Sequence, residues 1–94
     1  MSKASLILID DDRHVLDSMA GWLREQDYQV DTASAVGEAV SKIDKSATSG
    51  KPYDLVLADV RLGDRDGFEI LAHCRSNHPA ITVTLITGYG TVET

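Results

Sequence analysis

Two apolar runs of strand length, Leu6-Ile7-Leu8-Ile9 and Leu55-Val56-Leu57-Ala58, each end directly on acid: Asp10, Asp11 and Asp12 after the first, Asp59 after the second. A run that is apolar at every position has no polar face to offer water. It belongs in the interior of a sheet covered on both sides, which is the setting of parallel strands. Because parallel strands point the same way, their carboxyl ends meet at one edge, and the pattern gathers several carboxylates there. Carboxylates crowded together resist ionisation without a counter-charge. A hard divalent cation with oxygen ligands, Mg²⁺ above all, is the simplest one.

The rest of the chain alternates strand and helix signals. Ser5 to Ile9 is the first strand, and Arg13 to Glu25 the first helix, with Val15, Leu16, Met19, Ala20, Trp22 and Leu23 at helical spacing. Trp22 is expected in the core, and Asp12 is expected to cap this helix. Tyr28 to Ala33 alternates as a half-exposed strand does, Ser34 opens a helix carrying Val36, Ala39, Val40 and Ile43, and Lys45 to Pro52 reads as a loop. Gly50-Lys51 lacks the upstream glycine of a phosphate-binding loop and is read as a turn. A third strand, Asp54 to Ala58, leads into a polar turn from Arg61 to Asp66. Asp66 and Glu69 then have the spacing of a reciprocal helix cap, with Phe68, Leu71, Ala72 and Cys74 expected on the inner face of the third helix. Asn77-His78-Pro79 ends that helix, Ile81 to Ile86 is a fourth strand, Thr87 to Gly90 a turn, and Thr91 to Thr94 the opening of another helix. Regular alternation without repeats implies an α/β domain, a parallel sheet with helices on both faces. Its site is expected at the carboxyl ends of the strands, where strand order reverses.

Ninety-four residues suffice for one small domain. The net charge of -6 argues against direct binding to nucleic acid or to an anionic membrane. Cys74, as the one cysteine, has no partner for a disulfide. No charged leader with a long apolar segment begins the chain, and no run approaches the roughly 20 apolar residues of a membrane span, so the expected location is cytoplasmic. The sequence stops straight after an apolar strand. That would leave Ile81 to Ile86 as a bare edge, so a longer parent protein, or pairing of this strand with a second copy, is expected. His14, His73 and His78 fall on helix surfaces or ends and read as ordinary solvent-facing residues.

Capping alone accounts for one or two of the acids after the first strand. Asp59 differs, because no helix follows it immediately. Taken together, Asp10 and Asp11 would hold a cation while Asp59 both binds it and attacks a phosphoryl group, giving an aspartyl phosphate. Thr87, ending the fourth strand before small Gly88, is the candidate hydroxyl for a phosphoryl oxygen, and Tyr89 would lie near the mouth of the site.

The segments Ile7-Leu8-Ile9-Asp10-Asp11-Asp12, Leu57-Ala58-Asp59-Val60-Arg61-Leu62 with Asp66-Gly67-Phe68, and Leu85 through Thr94 resemble the receiver domain of bacterial two-component response regulators, and the closing run resembles receivers of NtrC-like activators. The resemblance spans residues 1–94. It implies a flavodoxin-like, doubly wound αβα sheet of order 2-1-3-4, lacking the family's fifth strand and last helix. It further implies Asp59 as phosphoacceptor, Mg²⁺ held by Asp10, Asp11, Asp59 and the backbone carbonyl of Arg61, Thr87 as switch hydroxyl, and a sensor histidine kinase as partner. The output would be a changed surface controlling transcription through a further domain. The family's later lysine has no candidate, since none lies beyond Lys51. A different class is open at this point: a haloacid-dehalogenase-type phosphohydrolase with Asp10 as nucleophile and Asp12 as general acid. So is a degenerate receiver used only for dimerisation.

Overall fold

The fully apolar runs become neighbouring parallel strands, as their lack of a polar face requires. The computed structural model describes residues 3–87 and 90–93, with side chains for 3–86. In chain order the elements are β1 (Ser5–Ile9), α1 (Arg13–Glu25), β2 (Gln29–Ala33), α2 (Val36–Thr48), β3 (Leu55–Asp59), the short pair β4 (Arg61–Leu62) and β5 (Arg65–Asp66), α3 (Gly67–Asn77), β6 (Thr82–Thr87) and β7 (Gly90–Glu93). The main sheet has the order β2-β1-β3-β6-β7, and its first four strands are parallel. β6 is the fourth strand of the sequence reading, so the order 2-1-3-4 holds.

Side chains of β1 divide between two cores by the two-residue period of a strand. Ile7 and Ile9 join Val56, Ala58, Val83 and Leu85 beneath α2 and α3, which contribute Ala39, Ile43, Ile70 and Cys74. Leu6 and Leu8 pack on the other face with Val30 and with Leu16 and Ala20 of α1. The result is three layers. Asp12 caps α1, its Oδ1 accepting from the backbone N–H of His14 and Val15 at 3.0 and 3.2 Å. Asp66 and Glu69 cap α3 reciprocally.

Several expectations need correction. α2 does not stop at Lys45 but runs to Thr48. Ser46 and Thr48 donate their hydroxyls back to the carbonyls of Ile43 and Asp44, so residues that read as loop formers are absorbed into the helix. Gly50, at φ 81°, then closes the turn. The inner face of α3 is Gly67, Ile70 and Cys74, with Leu71 only partly covered; Phe68 and Ala72 point outward. Trp22 is 60% exposed on α1 rather than in the core.

Gly90–Glu93 is a strand and not a helix start. It folds back antiparallel on β6, with Thr84 opposite Glu93 and Thr87 opposite Gly90. β-branched Thr91 and Val92 favour that state. The fourth strand is therefore not the bare edge expected for pairing with a second copy. Two of the histidines are not ordinary surface residues either: Nε2 of His73 and of His78 each lie 2.7 Å from Oδ1 of Asp44, tying α2 to α3. No helix among the described residues is long and apolar enough to cross a membrane.

Candidate functional site

Strand order reverses between β1 and β3, and the carboxyl ends of these two strands deliver Asp10 and Asp59 side by side. The Asp10 N–H donates to the Ala33 carbonyl of β2 at 3.2 Å, and the Val60 N–H to the Ile86 carbonyl of β6 at 3.0 Å. The sheet ladder thus extends to the rim of the site. Both carboxylates are partly covered, while Asp11 and Asp12 are exposed.

Each acid has a distinct local partner. Asp10 Oδ1 accepts from the Asp12 N–H at 2.9 Å, Asp59 Oδ1 from the Arg61 N–H at 3.0 Å, and Asp11 Oδ2 from the Gly63 N–H at 3.1 Å. The last bond joins residues 52 positions apart and draws the turn after β3 towards the acids that follow β1. Gly63 occupies the left-handed region at φ 71°, which suits a residue without a side chain. Asp12 is engaged as a helix cap and has the local role expected of it.

The Asp10 carboxyl is pushed above its ordinary value of 3.8, first by burial and then by the charges of Asp59, Asp11 and Asp12; the hydrogen bond from Asp12 opposes this. Charge crowding is therefore a property of the folded chain, as the acid-after-strand pattern implies. Asp10 and Asp59 also line one end of a 140 Å³ cavity walled by Leu8, Ile9, Leu57 and Ile86 of the strands and by Val15, Leu16 and Met19 of α1. Asp10, Asp11 and Asp59 do not form a tight triad. Among the described residues, the only three-residue His, Cys, Asp and Glu set with ligand atoms within 4.8 Å of one another is Asp44, His73 and His78. The Gly63 N–H holds the Asp11 carboxylate towards the turn after β3. The donor set fits Mg²⁺ all the same, being all oxygen and strongly anionic. That ion keeps several waters and needs only one or two carboxylates.

Arg61 is exposed, and its N–H is the group that orients Asp59. The Thr87 backbone ends β6 beside β3, but its side chain, like Gly88 and Tyr89, lies outside the described residues. Sequence reasoning missed the backbone donors at Arg61 and Gly63. It also missed Gly67, whose N–H donates to the Val60 carbonyl at 2.8 Å and holds the start of α3 against the end of β3.

The raised Asp10 carboxyl carries a testable sign. The folded chain binds this proton more tightly than the unfolded chain does, so the Asp10 contribution to stability falls as pH rises from below 3.8 through the raised folded value. Asp10→Asn keeps an oxygen for the Asp12 N–H and removes the charge. Without divalent cations at pH 7 the variant is expected to be more stable by about 0.5–1 kcal/mol. The gain should fade as pH falls from the raised folded value towards 3.8 and be gone below it. Thermal melts in EDTA across that range check this, and a less stable variant at pH 7 would contradict it.

The sequence profile of the response regulator receiver domain matches residues 6–94. The chain belongs to that family. It is a receiver domain of two-component response regulators, a regulatory phosphoacceptor module rather than a conventional enzyme, with the family's flavodoxin-like doubly wound sheet. Similar proteins include the photosynthetic apparatus regulatory protein RegA of Cereibacter sphaeroides, 29% identical over 90 residues, covering 96% of this chain and 46% of RegA. The transcriptional regulatory protein ZraR of Escherichia coli K12 is 32% identical over 89 residues, which are 95% of this chain and 19% of ZraR. Among solved structures, the beryllofluoride-activated NtrC4 receiver domain dimer aligns with a TM-score of 0.78 at 30% identity, covering 94% of this chain and 69% of that one. The relatives include NtrC-family-like regulators, as the closing run of the sequence suggested. The chain spans less than half the length of these two relatives. Receiver domains in general bind Mg²⁺ at their acidic phosphorylation site and interact with histidine kinases.

Proposed function

We propose that Asp59 accepts a phosphoryl group from a sensor histidine kinase, and that the Asp10 and Asp11 carboxylates, the Arg61 carbonyl and Asp59 itself hold Mg²⁺ for that transfer. The observation that carries the reading is the pairing of Asp10 with Asp59 at the reversal of strand order. There the Asp59 charge adds to burial in raising the Asp10 carboxyl. With Oδ1 held by the Arg61 N–H, Oδ2 of Asp59 is the attacking oxygen. An oxygen–phosphorus bond forms, the donor's phosphorus–nitrogen bond breaks, and the leaving imidazole keeps the electron pair and takes up a proton. Bound Mg²⁺ would neutralise charge on the phosphoryl oxygens and the surrounding carboxylates. The residues of this chain contribute position and electrostatics, so phosphoryl uptake and loss are self-catalysed at Asp59. Thr87 is the hydroxyl that answers the new charge and reshapes the segment after β6. Control of transcription through a further domain is the reading supported by relatives such as the transcriptional regulatory protein ZraR.

The phosphohydrolase alternative is disfavoured by Asp12, whose Oδ1 is committed to two backbone donors and is poorly placed to act as a general acid. The test is the intact mass after incubation with acetyl phosphate and Mg²⁺. One phosphoryl adduct is expected on the parent and none on Asp59→Asn or in EDTA. An adduct that persists in Asp59→Asn, or loss of labelling in Asp10→Asn together with turnover of an external phosphate ester, would overturn the assignment. So would a parent chain that takes up no phosphoryl group.

A further inference from the structure

At the other end of α3 from the acidic site, three side chains converge on one point. His73 lies on the penultimate turn of α3, His78 is the residue that closes the helix, and Asp44 comes from α2. Both imidazoles present the same atom: Nε2 of each stands 2.7 Å from Asp44 Oδ1, and the ligand atoms of all three lie within 4.8 Å of one another. The rings are 5.7 Å apart and tilted by 59°, so they approach the shared point from different directions instead of stacking. The histidine side chains are 25% and 16% exposed and the aspartate 47%, which shelters the nitrogens and leaves one side open to solvent.

We propose that Asp44, His73 and His78 form a binding site for a transition-metal dication of the zinc class, with water in the fourth position. Two imidazole nitrogens and a carboxylate oxygen are the donors such ions prefer, whereas Mg²⁺ and Ca²⁺ select oxygen. Zinc bonds to nitrogen and oxygen are about 2.0–2.1 Å, which puts tetrahedral ligands about 3.3 Å apart. The two 2.7 Å contacts need to open by only about 0.6 Å to admit the ion. The hydrogen-bonded cluster is thus the metal site with protons in place of the metal, and the protein has already met the cost of bringing the groups together. His73 is six residues along α3 from Gly67, about 9 Å of helix rise. The metal would therefore fasten α2 to α3 without sharing a ligand with the phosphoacceptor. Cys74, although adjacent in sequence, is buried in the core and is not among the ligands.

The experiment is isothermal titration of the 94-residue chain with Zn²⁺, with Mg²⁺ in excess to satisfy the acidic site. One Zn²⁺ per chain is expected. His73→Gln and His78→Gln should each weaken binding at least tenfold, and Asp44→Asn should weaken it too. Asp10→Asn, Asp59→Asn and Cys74→Ala should leave the stoichiometry unchanged. Circular dichroism establishes that each variant is folded, and Co²⁺ binding to the unmodified chain gives a reading independent of variants: the intense visible absorption of a four-coordinate ion. No saturable Zn²⁺ binding would overturn the proposal. So would a weak six-coordinate Co²⁺ spectrum, or binding that survives both histidine substitutions and disappears in Asp59→Asn.

Discussion

Gly67→Ala is expected to destabilise the protein by about 3 kcal/mol, because the added carbon has nowhere to go. A Cβ at Gly67 would stand 2.6 Å from the Asp59 carbonyl oxygen, 3.0 Å from Leu85 Cδ2 and 3.3 Å from the Asp59 carbonyl carbon. Leu85 could shift its methyl group, but the Asp59 carbonyl belongs to a strand paired on both sides. Neither can the helix withdraw freely, since the Gly67 N–H is bonded to Val60 and Asp66 caps the first turn. At about 4–8 °C per kcal/mol for a domain of this size, the melting temperature should fall by at least about 12 °C. Adding Leu85→Ala should not restore it, as it relieves only the milder contact. Gly21→Ala is the contrast. Nothing lies within 4 Å of its new carbon, and in the middle of α1 it should stabilise by up to about 1 kcal/mol. A Gly67→Ala chain as stable as the parent would mean that β3 and α3 can part. Where the variant still folds, phosphoryl uptake should also drop, because the atom pushed is the backbone of Asp59, the proposed acceptor.

The second large effect is expected at Ile70. α3 buries Gly67, Ile70 and Cys74, and of these Ile70 alone is a large aliphatic side chain, with no exposed surface. It packs in the same core as Val56, Val83 and Leu85 of the strands beneath it. Ile70→Ala removes the transfer free energy of the lost carbons and opens a cavity under a helix whose other buried residues, Gly67 and Cys74, are small, a loss of about 4 kcal/mol. Against a total of about 5–15 kcal/mol for a domain, and a small one at that, this is a large share of the stability. Ile70→Val should cost only about 1 kcal/mol. Urea denaturation at constant m-value measures both, and an alanine variant losing under about 2 kcal/mol would show that α3 resettles on the sheet.

The two predictions rest on features of different legibility. The acid-after-strand pattern at Asp10 and Asp59 was readable because burial on both faces forces a strand to be apolar throughout and leaves the first polar residue at its end. The reciprocal cap of Asp66 and Glu69 was readable because it is made within four residues. Trp22 and Phe68 were misplaced because their apolar character fits a helix pattern, while their exposure depends on how much sheet lies beneath them. β7 was misread because its state is fixed by the hydrogen-bonding edge of β6. The Gly67 contact and the meeting of Asp44 with His73 and His78 are distances between separate elements. No periodicity encodes them.

The exposed position of Trp22 has an optical consequence. As the one indole in the chain, already 60% exposed in the native state, it is expected to emit at nearly the wavelength of the unfolded chain. Its intrinsic fluorescence is therefore a poor gauge of denaturation. The same exposure makes it a built-in reporter for the outer face of α1, where any protein that docks and strips water from the ring will move the emission to the blue.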